Sequence, residues 1–387
     1  MKILLVRSSS GYVDVRNAHY NIQETGLAKA FNRKGHQCDV VFWGGKKEDV
    51  IEIEYDEEKT FKVFYLKAYD FLKNGIYKGL TKLSENYDIV HCGGYDQLES
   101  WLLAKSIPDK LVVYHGTYYS DFNKGYNKKC KIIDKIFLPR YKKKGIIFDT
   151  KSDLSTAFLK ERGLKDVYSV GVGIDLEKLQ AREMLESPLS TRLKSLKKEN
   201  KKILMYVGRI EPRRNIIFLL DVFKAVYEND KNTNLLIVGK GEKEYKDKCF
   251  EHAKKIGIED AIICEEFIDQ KYLPLVYSYS DVFLLPTIYE IFGMVLLEAM
   301  YFGTPAVTTY NGGSSMLIKN GHNGIIIDNF NISDWKESVQ KLLSDKTLKS
   351  KIIENAKTKI ENEFTWDALA DKFIKVFEKR INERNKS

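Results

Sequence analysis

With 387 residues, 43% of them hydrophobic and only 7 prolines, the chain can bury a large core and exceeds what one compact α/β domain usually needs, so two domains are expected. Its 5 cysteines (Cys38, Cys92, Cys130, Cys249 and Cys264) are widely spaced with no C-x-x-C pair, which disfavours a disulfide framework or a cysteine zinc site and fits a reducing cytoplasm. The net charge of +9 favours anionic partners, and without a DNA-binding motif nucleic acid is not expected among them.

The chain opens with KILLVRS, a short apolar run that reads as a buried first strand and is too short for the apolar region of a signal peptide. The amphipathic IQETGLAKAFNRKG follows, and then the runs CDVVFW, YDIVHCGG, KLVVYHG and KGIIFDT alternate with helical patterns. That alternation predicts βαβ units on a parallel sheet. No apolar run reaches the ~18 residues needed to span a bilayer. Between Lys124 and Lys144, nine basic residues face one acid, Asp134, with Ile132, Ile133, Ile136, Phe137 and Leu138 among them. This segment reads either as a basic amphipathic helix on an anionic membrane surface or as a solvated lysine face over a core stripe.

A lysine-rich polar stretch from Gln180 to Asn200 separates this series from a second one, made of KKILMYVGRI, NLLIVGKGE, AIICEEF, DVFLLP, PAVTTYNGG and NGIIID. The fold class expected is therefore α/β, with two Rossmann-like parallel-sheet domains facing a cleft. The first spans 1–180 and takes back a C-terminal amphipathic helix at about 366–387; the second spans 181–365. Ligands of such sheets gather where strands end in loops that enter helices, here Ser8 to Gly11, His115 to Tyr119, Gly208 to Asn215, Gly239 to Glu242, Thr287 to Gly293 and Asn311 to Ser315.

The segment PTIYEIFGMVLLEAM carries the most chemistry. Glu290 falls in the loop and Glu298 eight residues later, a little over two helical turns on, so the two carboxylates are expected to address one pocket. Carboxylates accept hydrogen bonds from sugar hydroxyls, and the free N–H groups of Gly293, Met294 and Val295 form an anion seat at the helix start. Upstream, YVGRIEPRRN adds Arg209 and Arg214 after a strand.

These residues resemble the signatures of the retaining GT-B glycosyltransferases of family 4, the group 1 glycosyltransferases. The usual P-S-x-x-E-x-F-G-x-x-x-x-E-A-M reads here Pro286, Thr287, Glu290, Phe292, Gly293, Glu298, Ala299, Met300, with Thr for Ser. The resemblance implies that Glu290 contacts the hydroxyls of a donor sugar, Glu298 the ribose, and the amides after Phe292 the phosphate and sugar. The element G-R-x-x-x-x-K-G is matched by Gly208, Arg209 and Arg214, with Arg for Lys and Asn215 for Gly, and implies that both arginines neutralise the leaving diphosphate. His115, at a strand end in VVYHGTYY, corresponds to a histidine that reaches the donor sugar, and Gly241 of LLIVGKGE to the second glycine of a G-x-G turn at the donor site. In NGGSSML the family's acid is replaced by Met316, and in VGVGIDLEKL only Gly173 and Asp175 are retained. The N-terminal glycine pair of the acceptor loop is represented by Ser10 and Gly11.

The expected activity is retaining transfer of a hexose or N-acetylhexosamine from a nucleotide sugar, UDP-linked by frequency in the family, to a hydroxyl of a lipid-linked or surface glycan. No Asp-x-Asp occurs in the chain, so no metal is expected through that motif, and no cofactor is expected, the nucleotide sugar being a substrate. The expected location is cytoplasmic, peripheral at the inner membrane face if the segment 124–144 engages it. Two other readings stand beside this one: a sugar-nucleotide 2-epimerase of the same architecture, which would need no acceptor, and a non-catalytic sugar-nucleotide-binding subunit. A dehydrogenase is disfavoured because neither first-strand loop carries G-x-G-x-x-G.

Overall fold

The computed structural model describes residues 1–16, 22–176 and 185–386. Two compact units result, Met1–Asp175 with Phe364–Ser387, and Leu176–Glu363. The boundary expected between residues 180 and 181 lies outside the described residues. The second unit closes at Glu363, short of the expected 365, because the chain there already pairs with the first unit's last strand-like segment. Ile174 donates its N–H to the carbonyl of Phe364 at 2.9 Å and bridges Thr365 in parallel.

In the first unit the strands are β1 (Lys2–Val6), β2 (Gln37–Gly45), β3 (Asp49–Asp56), β4 (Lys59–Phe71), β5 (Asn74–Tyr77), β6 (Ile89–Gly93), β7 (Leu111–His115), β8 (Ile147–Thr150) and β9 (Val167–Ser169). They hydrogen-bond in the order β3-β4-β2-β1-β6-β7-β8-β9, with β5 on β4. The strands β1, β2, β6, β7 and β8 are the apolar runs recognised in the sequence, and they are buried because helices cover both faces of a parallel sheet.

Residues 49–77 add what the alternation of strand and helix does not foresee. β3 runs antiparallel to β4, and β4 turns back into β5 through Leu72 and Lys73, both with positive φ (52° and 64°). Two such residues in succession make the tight turn whose twist matches a hairpin. The side chain of Asn74 stabilises that turn by donating to the carbonyls of Phe71 and Leu72, each at 3.0 Å.

The C-terminal helix Trp366–Arg384 packs on this unit. Thr365 caps it by accepting the N–H of Ala368, and Phe373 and Phe377 bury against Phe31 and His91. Gly26 and Gly173 admit the Trp366 ring: a Cβ on either would stand 2.4 or 2.7 Å from it.

The basic segment forms two helices, Lys124–Ile136 and Leu138–Lys143, where one was expected. Pro139 lies in the first turn of the second helix, where its missing N–H costs nothing, so the chain breaks at Phe137. Part of the charge is engaged, since Lys129 pairs with Asp96 at 2.7 Å and Arg140 stands 3.4 Å over the Trp101 ring. Ile132 and Ile136, one turn apart, stay 63% and 53% exposed among the lysines.

The second unit is a wholly parallel sheet of six strands among the described residues: β10 (Lys202–Val207), β11 (Thr233–Val238), β12 (Ile262–Glu265), β13 (Val282–Leu285), β14 (Ala306–Thr308) and β15 (Ile325–Ile326). Their order is β12-β11-β10-β13-β14-β15. The order reverses direction between β10 and β13, so the loops leaving these two neighbours lie together at the carboxyl edge.

Candidate active site

Three glycines let the loops after β10 and β11 cross at that edge. Gly208 donates its N–H to the carbonyl of Val238 at 3.0 Å, and Ile210 donates to that of Lys240 at 2.8 Å. A Cβ on Gly239 would fall 1.8 Å from the carbonyl oxygen of Gly208, and one on Gly241 2.4 Å from that of Ile210. Gly208 and Gly241 thus belong to one backbone crossing that fixes where the Arg209 loop leaves the sheet. Arg209 itself extends outward, with its side chain 70% exposed.

The loop then winds through the short 3-10 turn Pro212–Arg214 into the helix Ile216–Asn229. Asn215 sits between them at φ 56°, ψ 46°, the left-handed region in which the corresponding glycine of the resembling motif is comfortable. Asparagine tolerates that region better than other side chains, so the turn survives the replacement.

Arg214 is buried and forms an ion pair through Nη1 with Glu290 Oε2. Arg213, to which the sequence reading gave no role, donates from Nη1 to the carbonyl of Tyr289 at 2.7 Å and lies 3.8 Å from Glu290 Oε2. Glu211 gathers the group: its carboxylate is 2.7 Å from Arg213 Nη2, 3.9 Å from Arg214 Nε and 4.0 Å from Arg209 Nε.

The segment after β13 is tied to this turn by the main chain. Ile288 donates its N–H to the carbonyl of Arg213 at 2.8 Å, and the Thr287 hydroxyl shares its proton between the carbonyls of Arg213 and Tyr289 at 3.2 and 3.0 Å. Thr287 therefore keeps the hydroxyl that serine supplies in the resembling motif, and its extra methyl group is buried. The third loop, after β14, closes from the other side. Gly312 donates to the carbonyl of Glu290 at 3.0 Å, and a Cβ on Gly312 or Gly313 would meet the carbonyl oxygen of Ile291 or Phe292 at 2.1 or 1.6 Å.

Phe292 is buried, and Gly293, at φ 78°, opens the helix Met294–Tyr301. A Cβ on Gly293 would stand 3.1 Å from Glu290 Cγ, so that carboxylate leans over the helix start. Among the described residues no backbone hydrogen bond uses the N–H of Gly293, Met294 or Val295. Glu290, Arg214 and these amides come together as one donor-rich corner, which Arg209 and Arg213 beside Glu211 make net cationic.

Glu298, on the same helix, has other partners from those of Glu290. It is 7% exposed and accepts the hydroxyl of Tyr277 at 3.0 Å, on the helix Leu273–Tyr279. Burial pushes its carboxyl up to about 7, against the smaller opposing pull of the Tyr277 hydrogen bond. Sequence spacing placed both acids near one face; it could not show that an aromatic hydroxyl from a neighbouring helix holds the second.

The remaining predicted residues belong to the first unit. His115 ends β7 and is 1% exposed. Its Nδ1 accepts the N–H of Tyr95 at 3.3 Å, which leaves the proton of the neutral ring on Nε2, and the ring stacks on Phe158. Burial lowers its pKa to about 4, so it is neutral at physiological pH. Gly11 lies in the exposed loop after β1 at φ 131°, and its neighbour Ser10 donates to Asp70 at 2.9 Å, joining that loop to the β4–β5 hairpin.

Residues 190–359 match the family described as glycosyl transferases group 1. Over 374 residues the chain is 26% identical to an uncharacterized glycosyltransferase of Methanocaldococcus jannaschii, covering 91% of this chain and 92% of that protein. It is also 26% identical over 309 residues to the UDP-Gal:alpha-D-GlcNAc-diphosphoundecaprenol alpha-1,3-galactosyltransferase of Escherichia coli, covering 77% of this chain and 76% of that one. Among solved structures, the sucrose-phosphate synthase of Thermosynechococcus elongatus superposes with a TM-score of 0.71 at 18% identity, over 99% of this chain and 100% of that one.

Proposed function

Carrying the group 1 glycosyl transferase match in its second unit, the chain is a glycosyltransferase of the GT-B architecture, and we propose that it moves a hexose or N-acetylhexosamine from a UDP-sugar to a glycan hydroxyl, retaining the anomeric configuration and using no metal. The observation that carries this reading is the corner where the Arg214–Glu290 pair stands beside the open amides of Gly293, Met294 and Val295, with Arg209 extended into solvent.

Such a corner suits a sugar diphosphate. The guanidinium groups and the helix start offset the negative charge that grows on the diphosphate as the glycosidic bond breaks, which is the charge a transition-state-complementary site must meet. Glu290 accepts hydrogen bonds from the sugar hydroxyls and Glu298 from the ribose. Phe292 walls the pocket, and the crossing of Gly208 with Gly241 sets the position of Arg209. His115 and Gly11 keep their roles on the sugar and the acceptor by resemblance alone. In the step itself, the acceptor oxygen bonds to the anomeric carbon on the face the diphosphate leaves, and the departing phosphate oxygen takes the acceptor's proton.

UDP is supported by the named donor of the Escherichia coli relative, and a lipid-linked acceptor by that relative's name together with the exposed Ile132 and Ile136 among lysines. These residues fit the anionic inner face of a membrane, with the protein peripheral and cytoplasmic.

A thermal-shift screen against UDP, GDP, ADP and their sugars tests the donor, and UDP is expected to raise Tm most; a larger shift with GDP or ADP rejects it. Product NMR should show the donor's anomeric configuration, and turnover should persist in EDTA; an inverted anomer or a dead reaction rejects retention or metal independence. Conversion of the donor without any acceptor would favour the epimerase. Protein that fails to sediment with anionic vesicles removes the membrane surface from the reading.

The raised carboxyl of Glu298 gives a separate prediction. Its folded pKa of about 7 lies above the unfolded value, so the fold binds the extra proton and loses stability as pH rises between about 4.5 and 7. Glu298→Gln should flatten that slope and gain up to ~3 kcal/mol at pH 8. A ribose bound to the ionised carboxylate makes native affinity for UDP rise from pH 6 to pH 8, and an affinity unaffected by both pH and the substitution rejects the ribose role.

A further inference from the structure

Among the described residues Glu211 is the one acid in contact with all three arginines of its loop, and the resemblance gives it no function. Its Arg213 contact at 2.7 Å, on a half-buried side chain, draws a guanidinium that could otherwise swing into solvent back toward Tyr289 and Glu290. Three guanidinium groups within the six residues from Arg209 to Arg214 repel one another, and a diphosphate that relieves the repulsion would be held tightly both as substrate and as product. Three guanidinium groups against the carboxylates of Glu211 and Glu290 leave one net positive charge in the empty corner. Arg214 Nε is buried and makes no hydrogen bond among the described residues, so it retains a donor for an incoming anion while Glu211 sits 3.9 Å away.

We propose that Glu211 is a positioning residue of the diphosphate site, whose carboxylate assembles Arg209, Arg213 and Arg214 before the donor arrives and offsets one of their charges so that the nucleoside diphosphate product can leave. This rests on the reading of Arg209 and Arg214 as the partners of the diphosphate. Arg213 holds Glu290 when Arg214 turns to the ligand, since it already lies 3.8 Å from the same carboxylate oxygen. The carboxylate oxygen that Arg214 gives up is thereby kept oriented toward the sugar. Neither Glu211 nor Arg213 touches reacting atoms; both act through the residues that do.

The test is calorimetric titration of the full-length chain with UDP and with UMP. Glu211→Gln keeps the size and one acceptor and removes the charge, so it should bind UDP about tenfold tighter and be inhibited by UDP at correspondingly lower concentration, with UMP affinity changed less than about threefold. Unchanged or weaker UDP binding by a folded Glu211→Gln overturns the proposal and makes Glu211 a purely structural ion-pair partner. An equal gain for UDP and UMP also overturns it, because the effect would not lie at the outer phosphate. Should Glu211→Gln not fold, the double variant Glu211→Gln, Arg213→Gln removes one charge of each sign and must bind UDP within about threefold of the native chain; a tenfold loss there rejects the proposal. A native chain that binds no nucleoside diphosphate would instead bring down the proposed function, a result distinct from any of these.

Discussion

Arg209→Ala is expected to lower kcat by about 100- to 1,000-fold while leaving Tm where it was. The side chain is 70% exposed and its nearest charged partner is Glu211 at 4.0 Å, so the fold loses little when it is removed. Its charge matters chiefly when the diphosphate departs, so the loss should appear in kcat and kcat/KM together. Arg214→Ala should behave otherwise. It takes from the largely buried Glu290 carboxylate the guanidinium it is paired with, and removing one partner of such a pair is strongly destabilising, about 3 kcal/mol here. Activity and Tm should therefore fall together. Arg214→Lys, which restores the residue of the resembling motif, should keep activity within about tenfold, because an ammonium supplies the charge without the planar fork. Steady-state kinetics beside thermal melts of the three variants decide the matter. Equal losses of Tm in Arg209→Ala and Arg214→Ala would make both arginines structural.

Gly313→Ala is the second substitution expected to be severe. Its Cβ would lie 1.6 Å from the carbonyl oxygen of Phe292, and that oxygen belongs to the main chain, so no side-chain rotation relieves the contact. Either the loop after β14 retreats or the Glu290–Phe292 segment moves, and the latter carries Glu290 and the opening of the helix Met294–Tyr301 with it. A loss of at least about 3 kcal/mol is expected, with donor affinity falling further than stability alone accounts for. Gly321→Ala is the control: it lies in the same unit at φ 74° with open space around its Cβ, so it should cost only the strain of its backbone conformation. A Gly313→Ala variant that melts with the native chain would mean that the loop after β14 does not constrain the Glu290 segment.

The two parallel series were legible because strands buried on both faces of such a sheet are continuous apolar runs, and KILLV, LVVYH, KILMYV and VFLL are written that way. Residues 49–77 fall outside that pattern: DVIEIEYD alternates with the period of a half-buried strand, and its antiparallel pairing interrupts the βαβ order of the rest. The break at Phe137 was signalled by Pro139 and hidden by the uniform run of lysines around it.

Glu290 and Gly293 could be picked out from the sequence because strand-end loops and helix starts are local features, fixed by residues a few positions apart, whereas Arg209 and Arg214 were singled out by the resemblance of YVGRIEPRRN to a family element. Tertiary structure alone decided which groups they meet. The pairing of Arg214 with Glu290, the reach of Arg213 to the Tyr289 carbonyl, the Tyr277 hydroxyl on Glu298 and the approach of Gly313 to Phe292 all join residues about 20 to 80 positions apart. Periodicity carries no information over such separations. The strand order, which sets β13 beside β10 and β14 beside β13, brings those loops to one edge, and steric fit and charge balance there choose the partners.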